Sequence, residues 1–219
     1  MKVPSQKLTL YTAIGIIVVV VGIIAYVQFS QQRTIAVSGQ LDFSNQPALG
    51  SDNAPVKIAI FEDFRCPGCA SFSEGPFVQL EREFVASGEA QIFFFNLPVL
   101  GEPSFTAALA ARCVFEADAQ GFWDYKRFVY RMHLSEGSES VVPNRLVSLA
   151  NEAIPDLNAQ ELRQCIDERR FASEVQRESD VARSIGVSAT PSIVVNGQLV
   201  SSPNYAAVRS AIEAALAQN

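Results

Sequence analysis

The sequence of 219 residues has few side chains suited to metal ions, with one histidine, two methionines and four cysteines. Positive charge is also scarce, because 17 Lys and Arg face 23 Asp and Glu, a net charge of −6 with a pI near 4.9. No nucleic-acid partner is expected, because such partners need a basic surface that neutralises phosphates. Low-complexity tracts are absent, and 48% hydrophobic against 18% charged residues excludes a disordered chain. No pattern specifies a metal or a cofactor, and we expect neither.

The first part of the chain contains an uncharged, strongly apolar segment at residues 8–29. At about 1.5 Å per residue, a helix of this length spans roughly 33 Å, enough for a bilayer core of about 30 Å. A cleaved signal peptide is disfavoured because no small-x-small site follows, and a buried core helix because the segment is apolar all round. Lys2 and Lys7 precede the segment whereas only Arg33 follows closely, which favours a cytoplasmic N-terminus at residues 1–7. We therefore predict a single transmembrane anchor and an extracytoplasmic domain.

Turn-forming residues dominate the next stretch, residues 30–54, which we interpret as a linker with a short edge strand near Gln40 to Phe43. A folded domain is then predicted over residues 55–219. It opens with a buried strand at Val56 to Phe61, because a β-branched run lies between a proline and two acids. A second buried strand is predicted at Gln91 to Leu97.

Between these strands, the hydrophobic pattern predicts a helix that begins near Cys66 and is kinked at Pro76. Residues 103–184 are predicted to be a helical insertion. Its predicted helices are Ser104 to Ala119, Phe122 to Leu134, Asn144 to Ala153, Ala159 to Arg170 and Ala172 to Ser184. A hairpin at Ser192 to Ser201 with an Asn-Gly turn, and a last helix at Asn204 to Ala217, complete the pattern.

The chemistry of the sequence is concentrated in Cys66-Pro67-Gly68-Cys69, at the junction of a strand and a helix. A thiol at the start of a helix faces unpaired backbone amides and the positive end of the helix dipole, which stabilises its thiolate. Zinc would need a second pair of ligands, and haem attachment would need a histidine at position 70, which is alanine. A structural disulfide remains an alternative, but the pattern favours redox activity.

A proline late in the sequence supports the interpretation of the cysteine motif as redox-active. Thr190-Pro191 opens the later strand, where a proline removes one backbone donor. The simple interpretation is a proline at a strand edge. Combined with the cysteine motif about 120 residues earlier, the pattern favours a cis proline packed against the disulfide of that motif.

Several motifs together resemble the membrane-anchored DsbA-type thiol:disulfide oxidoreductases, over residues 45–218. The motifs are Pro47-Ala-Leu-Gly50, Ala54-Pro-Val56, Glu62-Asp-Phe-Arg-Cys-Pro-Gly-Cys69, Ala107-Ala-Leu-Ala-Ala-Arg-Cys113, Gly121-Phe-Trp-Asp-Tyr125, Gly186-Val-Ser-Ala-Thr-Pro191 and Val194-Val-Asn-Gly197. The resemblance implies an α/β thioredoxin fold with a helical insertion, Cys66 as nucleophile and Cys69 as resolving thiol. It also implies a bacterial cell envelope, reduced exported proteins as substrates, and reoxidation by a membrane quinone-linked protein of the DsbB or vitamin K epoxide reductase type.

The sequence departs from this family at two places. Pro67-Gly68 stands where the best-known members have Pro-His, and Ile60 stands where many relatives carry an acid. Glu62 and Arg65 are then the candidates to tune the thiol pKa. Three functions stay open: an oxidase of exported proteins, a reductase or isomerase on the same fold, and a tethered binding module whose cysteines are incidental. The motif favours the oxidase.

Two further cysteines lie outside the motif, at Cys113 and Cys165. In an oxidising compartment, an even number of cysteines with one active pair predicts that the other two are joined in a disulfide. The alternative is two buried free thiols, which pack as small hydrophobic groups. His133 follows an aromatic helix and is interpreted as a surface or hydrogen-bonded residue rather than a catalyst.

Overall fold

The computed structural model describes residues 11, 14–22 and 41–218. The chain divides into two compact units, Met1–Ile35 and Ala36–Asn219. In the first unit, residues 14–22 are helical and exposed. Among the described residues, no helix has both the length and the apolar character needed to cross a membrane. The predicted cytoplasmic tail, most of the predicted anchor at 8–29 and the first part of the linker lie outside the described residues.

The second unit is built on a mixed sheet of five strands in the order β1-β3-β2-β4-β5. The central strands β2 and β3 are parallel, whereas each of the other neighbouring pairs is antiparallel. The strands are β1 (Ala48–Leu49), β2 (Val56–Glu62), β3 (Ala90–Asn96), β4 (Ser192–Val195) and β5 (Gln198–Leu199).

Helices cover both faces of this sheet. They are α1 (Pro67–Glu74), α2 (Pro76–Leu80), α3 (Glu102–Ala117), α4 (Gly121–Glu136), α5 (Pro143–Ala153), α6 (Ala159–Asp167), α7 (Ala172–Ser184) and α8 (Tyr205–Leu216), with a π-helical turn at Glu81–Val85 and a 3₁₀ turn at Ser138–Ser140. The predicted helices of the insertion all form, with ends that differ from the prediction by three residues or fewer. The predicted kink is a break at Gly75, directly before Pro76.

Successive side chains of β2 point to opposite faces of the sheet, and the core therefore has two layers. Ile58 and Ile60 face the larger cluster, which includes residues of α1, α2, α8 and the inserted helices. Ala59 and Phe61 face a smaller cluster with residues from the end of α7 and the segment after it. Because both faces are covered, β2 and β3 are almost completely buried, as their continuous apolar runs predict.

The edge strand is the clearest correction to the prediction. Residues 41–43 are not in a strand, and the edge strand is Ala48–Leu49, which pairs with β3. Its position depends on the indole of Trp123, whose Nε1 donates to Ala48 O at 3.0 Å. Phe43 instead packs its ring against Phe93, with centroids 4.3 Å apart. The apolar residues predicted to form the strand therefore cover the sheet as side chains.

Candidate active site

The two cysteines of the motif lie at the start of α1, directly after β2. Cys66 is the N-cap residue, and Pro67 is the first helical residue. The helix begins here because proline fixes a helical φ and lacks the N–H that would be unpaired at this position. No side chain caps the helix. The N–H groups of Cys69 and Ala70 donate to Cys66 O at 3.0 and 3.1 Å, and those of Gly68 and Cys69 also act on the Cys66 sulfur.

The two thiols have opposite environments. Cys66 is partly exposed whereas Cys69 is fully buried, and both are free thiols. A hydrogen bond from the Cys69 thiol, helped by Thr190 and by the backbone N–H groups of Cys69 and Gly68, lowers the pKa of Cys66 to about 5 despite partial burial. Burial strongly raises the pKa of Cys69, and the hydrogen bond to Cys66 and the charge of Glu62 raise it further. One sulfur is thus a stable thiolate, and its neighbour keeps its proton.

The Thr190–Pro191 segment faces these thiols. The peptide bond between the two residues is cis, and Cys66 Sγ lies 3.4 Å from Thr190 O. A Cβ added at Gly68 would lie 3.3 Å from Pro191 Cδ and 3.6 Å from Cys66 Sγ. The glycine of the active-site dipeptide therefore lets the proline approach the catalytic sulfur closely.

The two candidate tuning residues have different surroundings. Arg65 forms an ion pair with Glu139 at 3.6 Å, and the largest effects on the Cys66 pKa come from other groups. Glu62 is fully buried at the end of β2, where Lys126 Nζ lies 3.0 Å from its carboxylate. Its charge acts on Cys69. Of the two, Glu62 is the residue that is coupled electrostatically to a thiol.

Lys126 was missed in the sequence, although a signal for it existed. It lies four residues after Phe122 and four before Tyr130, on the buried face of α4. The aromatic residues Trp123, Tyr125 and Tyr130 of this helix are buried. A lysine on a buried helix face needs a partner of opposite charge. This requirement could have identified Glu62 as its partner.

Asp63 was also not recognised as a structural support of the motif. Its carboxylate accepts hydrogen bonds from the backbone N–H groups of Arg65, Val99 and Leu100, at 2.8 to 3.1 Å. It thereby fixes the loop after β3 beside the start of α1. His133 is buried, and its Nδ1 lies 3.1 Å from Phe64 O, which agrees with the interpretation as a hydrogen-bonded residue.

The remaining cysteines form a bridge within the inserted helices. Cys113 on α3 and Cys165 on α6 are joined by a disulfide with an S–S distance of 1.98 Å and a Cα–Cα distance of 6.1 Å. Both are buried, and neither begins a helix. Within the described residues, no group of three or more His, Cys, Asp or Glu side chains is placed to hold a metal ion.

Comparisons with known proteins agree with this geometry. A family model described as Thioredoxin matches residues 43–214. Disulfide bond formation protein D of Bacillus subtilis is 32% identical over 84% of this chain and 83% of its own length. The crystal structure of oxidised BdbD from Bacillus subtilis has a TM-score of 0.77 and 32% identity, over 83% of this chain and 98% of that chain. The structure of Chlamydia trachomatis DsbA has a TM-score of 0.69 and 26% identity, over 80% and 92% of the two chains.

Proposed function

Since the chain belongs to the DsbA-type thiol:disulfide oxidoreductases of the thioredoxin family, we propose that Cys66 and Cys69 introduce disulfide bonds into exported proteins. The observation that carries this proposal is the difference between the two sulfurs. Cys66 is accessible and has a pKa lowered to about 5, whereas Cys69 is buried and has a raised pKa. A stabilised Cys66 thiolate favours the reduced state of the enzyme, so the disulfide state is the more oxidising.

The exchange begins when a thiolate of the substrate attacks Cys66 Sγ of the oxidised enzyme. The Cys66–Cys69 bond breaks, its electron pair passes to Cys69, and Cys69 takes up a proton. A second substrate thiolate then attacks the substrate sulfur of the mixed disulfide, and Cys66 leaves as a thiolate. The low pKa of Cys66 makes it a good leaving group in this step. The substrate gains a disulfide, and two electrons remain on the enzyme.

Thr190 offers backbone groups to an extended substrate, so that binding does not depend on the side chains of the substrate. The carbonyl oxygen of Thr190 lies 3.4 Å from Cys66 Sγ, and its side chain is only partly buried. A substrate strand laid beside this backbone would be held mainly by main-chain hydrogen bonds, which have little sequence preference. Such binding suits an enzyme that acts on many unfolded chains.

The cellular setting is part of the same proposal. The uncharged segment at residues 8–29 would anchor the enzyme in the membrane, with Lys2 and Lys7 on the cytoplasmic side. The catalytic domain would then work outside the cytoplasm, and a membrane quinone-linked protein would remove the two electrons. Because Cys69 is buried, this partner, like the substrate, is expected to exchange disulfides with Cys66.

The test is oxidation of a reduced, unfolded secretory protein by the full chain in detergent. Wild type should form substrate disulfides, and Cys66→Ser should form none. Cys69→Ser, mixed instead with a disulfide-bonded substrate, should accumulate mixed disulfides, because Cys66 attacks the substrate disulfide, releases one substrate thiol and has no second thiol to resolve the bond. The matched control joins Cys113→Ala with Cys165→Ala, which removes two cysteines and should leave the rate per folded molecule unchanged. Full activity of Cys66→Ser would overturn the proposal, and a pair that reduces substrate disulfides in glutathione buffer would favour the reductase.

A further inference from the structure

Asp63, three residues before the nucleophile, is connected to both active-site cysteines through its main chain. Its carbonyl oxygen accepts the N–H of Cys66 at 2.9 Å. Its own N–H is hydrogen-bonded to the sulfur of Cys69, which is completely buried. The exchange steps described above use neither contact. The backbone of Asp63 therefore lies against both partners of the redox pair.

The Asp63 side chain holds this backbone in place. One carboxylate oxygen accepts the N–H of Arg65 at 2.8 Å, and the other accepts the N–H groups of Val99 and Leu100 at 2.9 and 3.1 Å. The first bond closes a turn directly before Cys66, and the other two join this turn to the loop after β3. Because both oxygens act as acceptors, a carboxylate matches all three donors and an amide does not.

The charge of Asp63 does not explain its place in the site. The residue is buried, with 2% of its surface exposed, and its hydrogen-bond partners in the described part of the chain are backbone N–H groups rather than cations. A negative charge near the thiols also disfavours the thiolate that each exchange step produces. The three hydrogen bonds, rather than the charge, are therefore what this side chain contributes.

Cys69 is the sulfur that needs a donor during the exchange. When a thiolate attacks Cys66 Sγ, the electron pair of the breaking bond passes to Cys69, which water does not reach. Burial raises the pKa of the Cys69 thiol, the hydrogen bond to Cys66 and the charge of Glu62 raise it further, and the backbone N–H of Asp63 lowers it. A fixed N–H directed at a developing negative charge is most effective where water is excluded. The Asp63 N–H is therefore placed to stabilise the leaving sulfur.

We propose that the Asp63 side chain is a positioning group for the leaving sulfur, because its bonds to Arg65 and to the loop after β3 hold its own N–H against Cys69 Sγ while the disulfide breaks. In this step the attacking thiolate forms a bond to Cys66 Sγ and the Cys66–Cys69 bond breaks. The electron pair stays on Cys69 until this sulfur takes up a proton. The attacking sulfur is oxidised, and Cys69 is reduced.

This inference rests on the proposed exchange at Cys66, but its test uses a small thiol instead of a protein substrate. The oxidised full chain in detergent is mixed with excess dithiothreitol, samples are quenched in acid, and mass spectrometry of the labelled thiols follows the loss of the Cys66–Cys69 disulfide. Asp63→Asn should slow this loss about tenfold, because its NH₂ group would face a backbone N–H and the turn would shift. Alkylation of Cys66 in the reduced protein should be unchanged, because it places no charge on Cys69.

The direction of the effect separates positioning from the other possible roles of Asp63. If the residue acted through its charge, Asp63→Asn would break the disulfide faster than wild type, since removal of a negative charge favours a thiolate. If its role were only to stabilise the fold, the rate per folded molecule would not change. Either result, or an equal slowing of Cys66 alkylation, would overturn the inference.

Two further variants complete the test. Asp118→Asn is the matched control, because Asp118 also accepts two backbone N–H groups, those of Gln120 and Gly121, in the connection between α3 and α4. It should react like wild type. If Asp63→Asn does not fold, Asp63→Ser replaces it: its hydroxyl can still accept the Arg65 N–H but does not reach the loop, so the disulfide should break several-fold more slowly. A folded Asp63→Ser as fast as wild type would overturn the inference, whereas a wild-type pair that does not react with dithiothreitol would refute the proposed function itself.

Discussion

Cys66 Sγ lies 3.4 Å from the carbonyl oxygen of Thr190, a residue 124 positions later in the chain. This contact joins the start of α1 to the segment before β4, so the nucleophile and the backbone that faces it come from the two halves of the thioredoxin fold. The inserted helices lie between these halves in sequence. Formation of the active site therefore requires that the inserted helices leave the two halves of the thioredoxin fold in contact.

The first prediction concerns the reactivity of the two thiols. Because the pKa of Cys66 is lowered to about 5, its alkylation rate in the reduced protein should rise with pH up to about 5 and then become constant. Cys69 should resist labelling in the folded state, because it is buried and keeps its proton. Mass spectrometry of the alkylated peptides across pH measures both. Faster labelling of Cys69, or a Cys66 rate that still rises near pH 8, would show that the roles are assigned wrongly.

The second prediction concerns the glycine of the dipeptide. In Gly68→Ala the new Cβ would lie 3.3 Å from Pro191 Cδ, so Pro191 would have to move by a few tenths of an ångström away from Cys66. Substrate oxidation should slow several-fold, because small displacements of reacting groups are costly. The free energy of unfolding should change by less than about 1 kcal/mol, because alanine favours a helix. A normal rate would show that the Pro191 position does not matter.

Local patterns made part of this molecule predictable. The strand at Val56–Glu62 and the helix after Cys66 have strong signals of their own, namely a β-branched run and a proline at the first helical position. The turn at Asn196-Gly197 has positive φ at both residues, as its sequence predicts. Such features depend on neighbours in the chain and can be inferred without the tertiary structure.

Features that arise from contacts distant in sequence were not predictable in the same way. The ion pair of Glu62 and Lys126 joins residues on β2 and α4, and the sequence alone does not show which element covers which. The edge strand Ala48–Leu49 is only two residues long, and its place is set by β3 and Trp123. A strand this short has no periodicity that could be recognised.

The third prediction tests the proposed topology. With the anchor at residues 8–29 and the basic residues before it, residues 34–219 should be digested by a protease added to intact cells. A cytoplasmic protein serves as the control for cell integrity and should remain intact. Protection of the domain until the membrane is permeabilised would refute both the orientation and the extracytoplasmic site of action.

The fourth prediction concerns the bridge between α3 and α6. Its cysteines are 52 positions apart, and closing a loop of that size should stabilise the fold by up to about 4 kcal/mol on the chain-entropy model. Joint replacement of Cys113 and Cys165 by alanine should therefore lower the melting temperature, measured by calorimetry, while the oxidase rate per folded molecule stays near normal. Four free thiols in the unfolded, unreduced protein, or an unchanged melting temperature, would refute this role.

A second buried charge pair underlies the last prediction. Arg112 Nη1 on α3 lies 3.5 Å from Glu178 Oε1 on α7, and both side chains are buried. The Asn96 side chain donates to Glu178 Oε2 at 3.0 Å, and its backbone N–H donates to the same oxygen. Burial nevertheless prevails over these partners and raises the pKa of Glu178 to about 7.

A raised pKa means that the folded protein holds this proton at pH values where the unfolded chain has lost it. Between pH 4.5 and about 7, the stability that this site contributes should therefore fall as pH rises, and it should stay constant above that window. Glu178→Gln cannot titrate and should not show this loss. Relative to wild type, its free energy of unfolding, measured in urea, should therefore rise by up to about 3 kcal/mol between pH 4.5 and about 7, since one pKa unit equals about 1.4 kcal/mol. If wild type instead gains stability over Glu178→Gln across this window, the ion pair with Arg112 outweighs burial and the pKa of Glu178 is lowered.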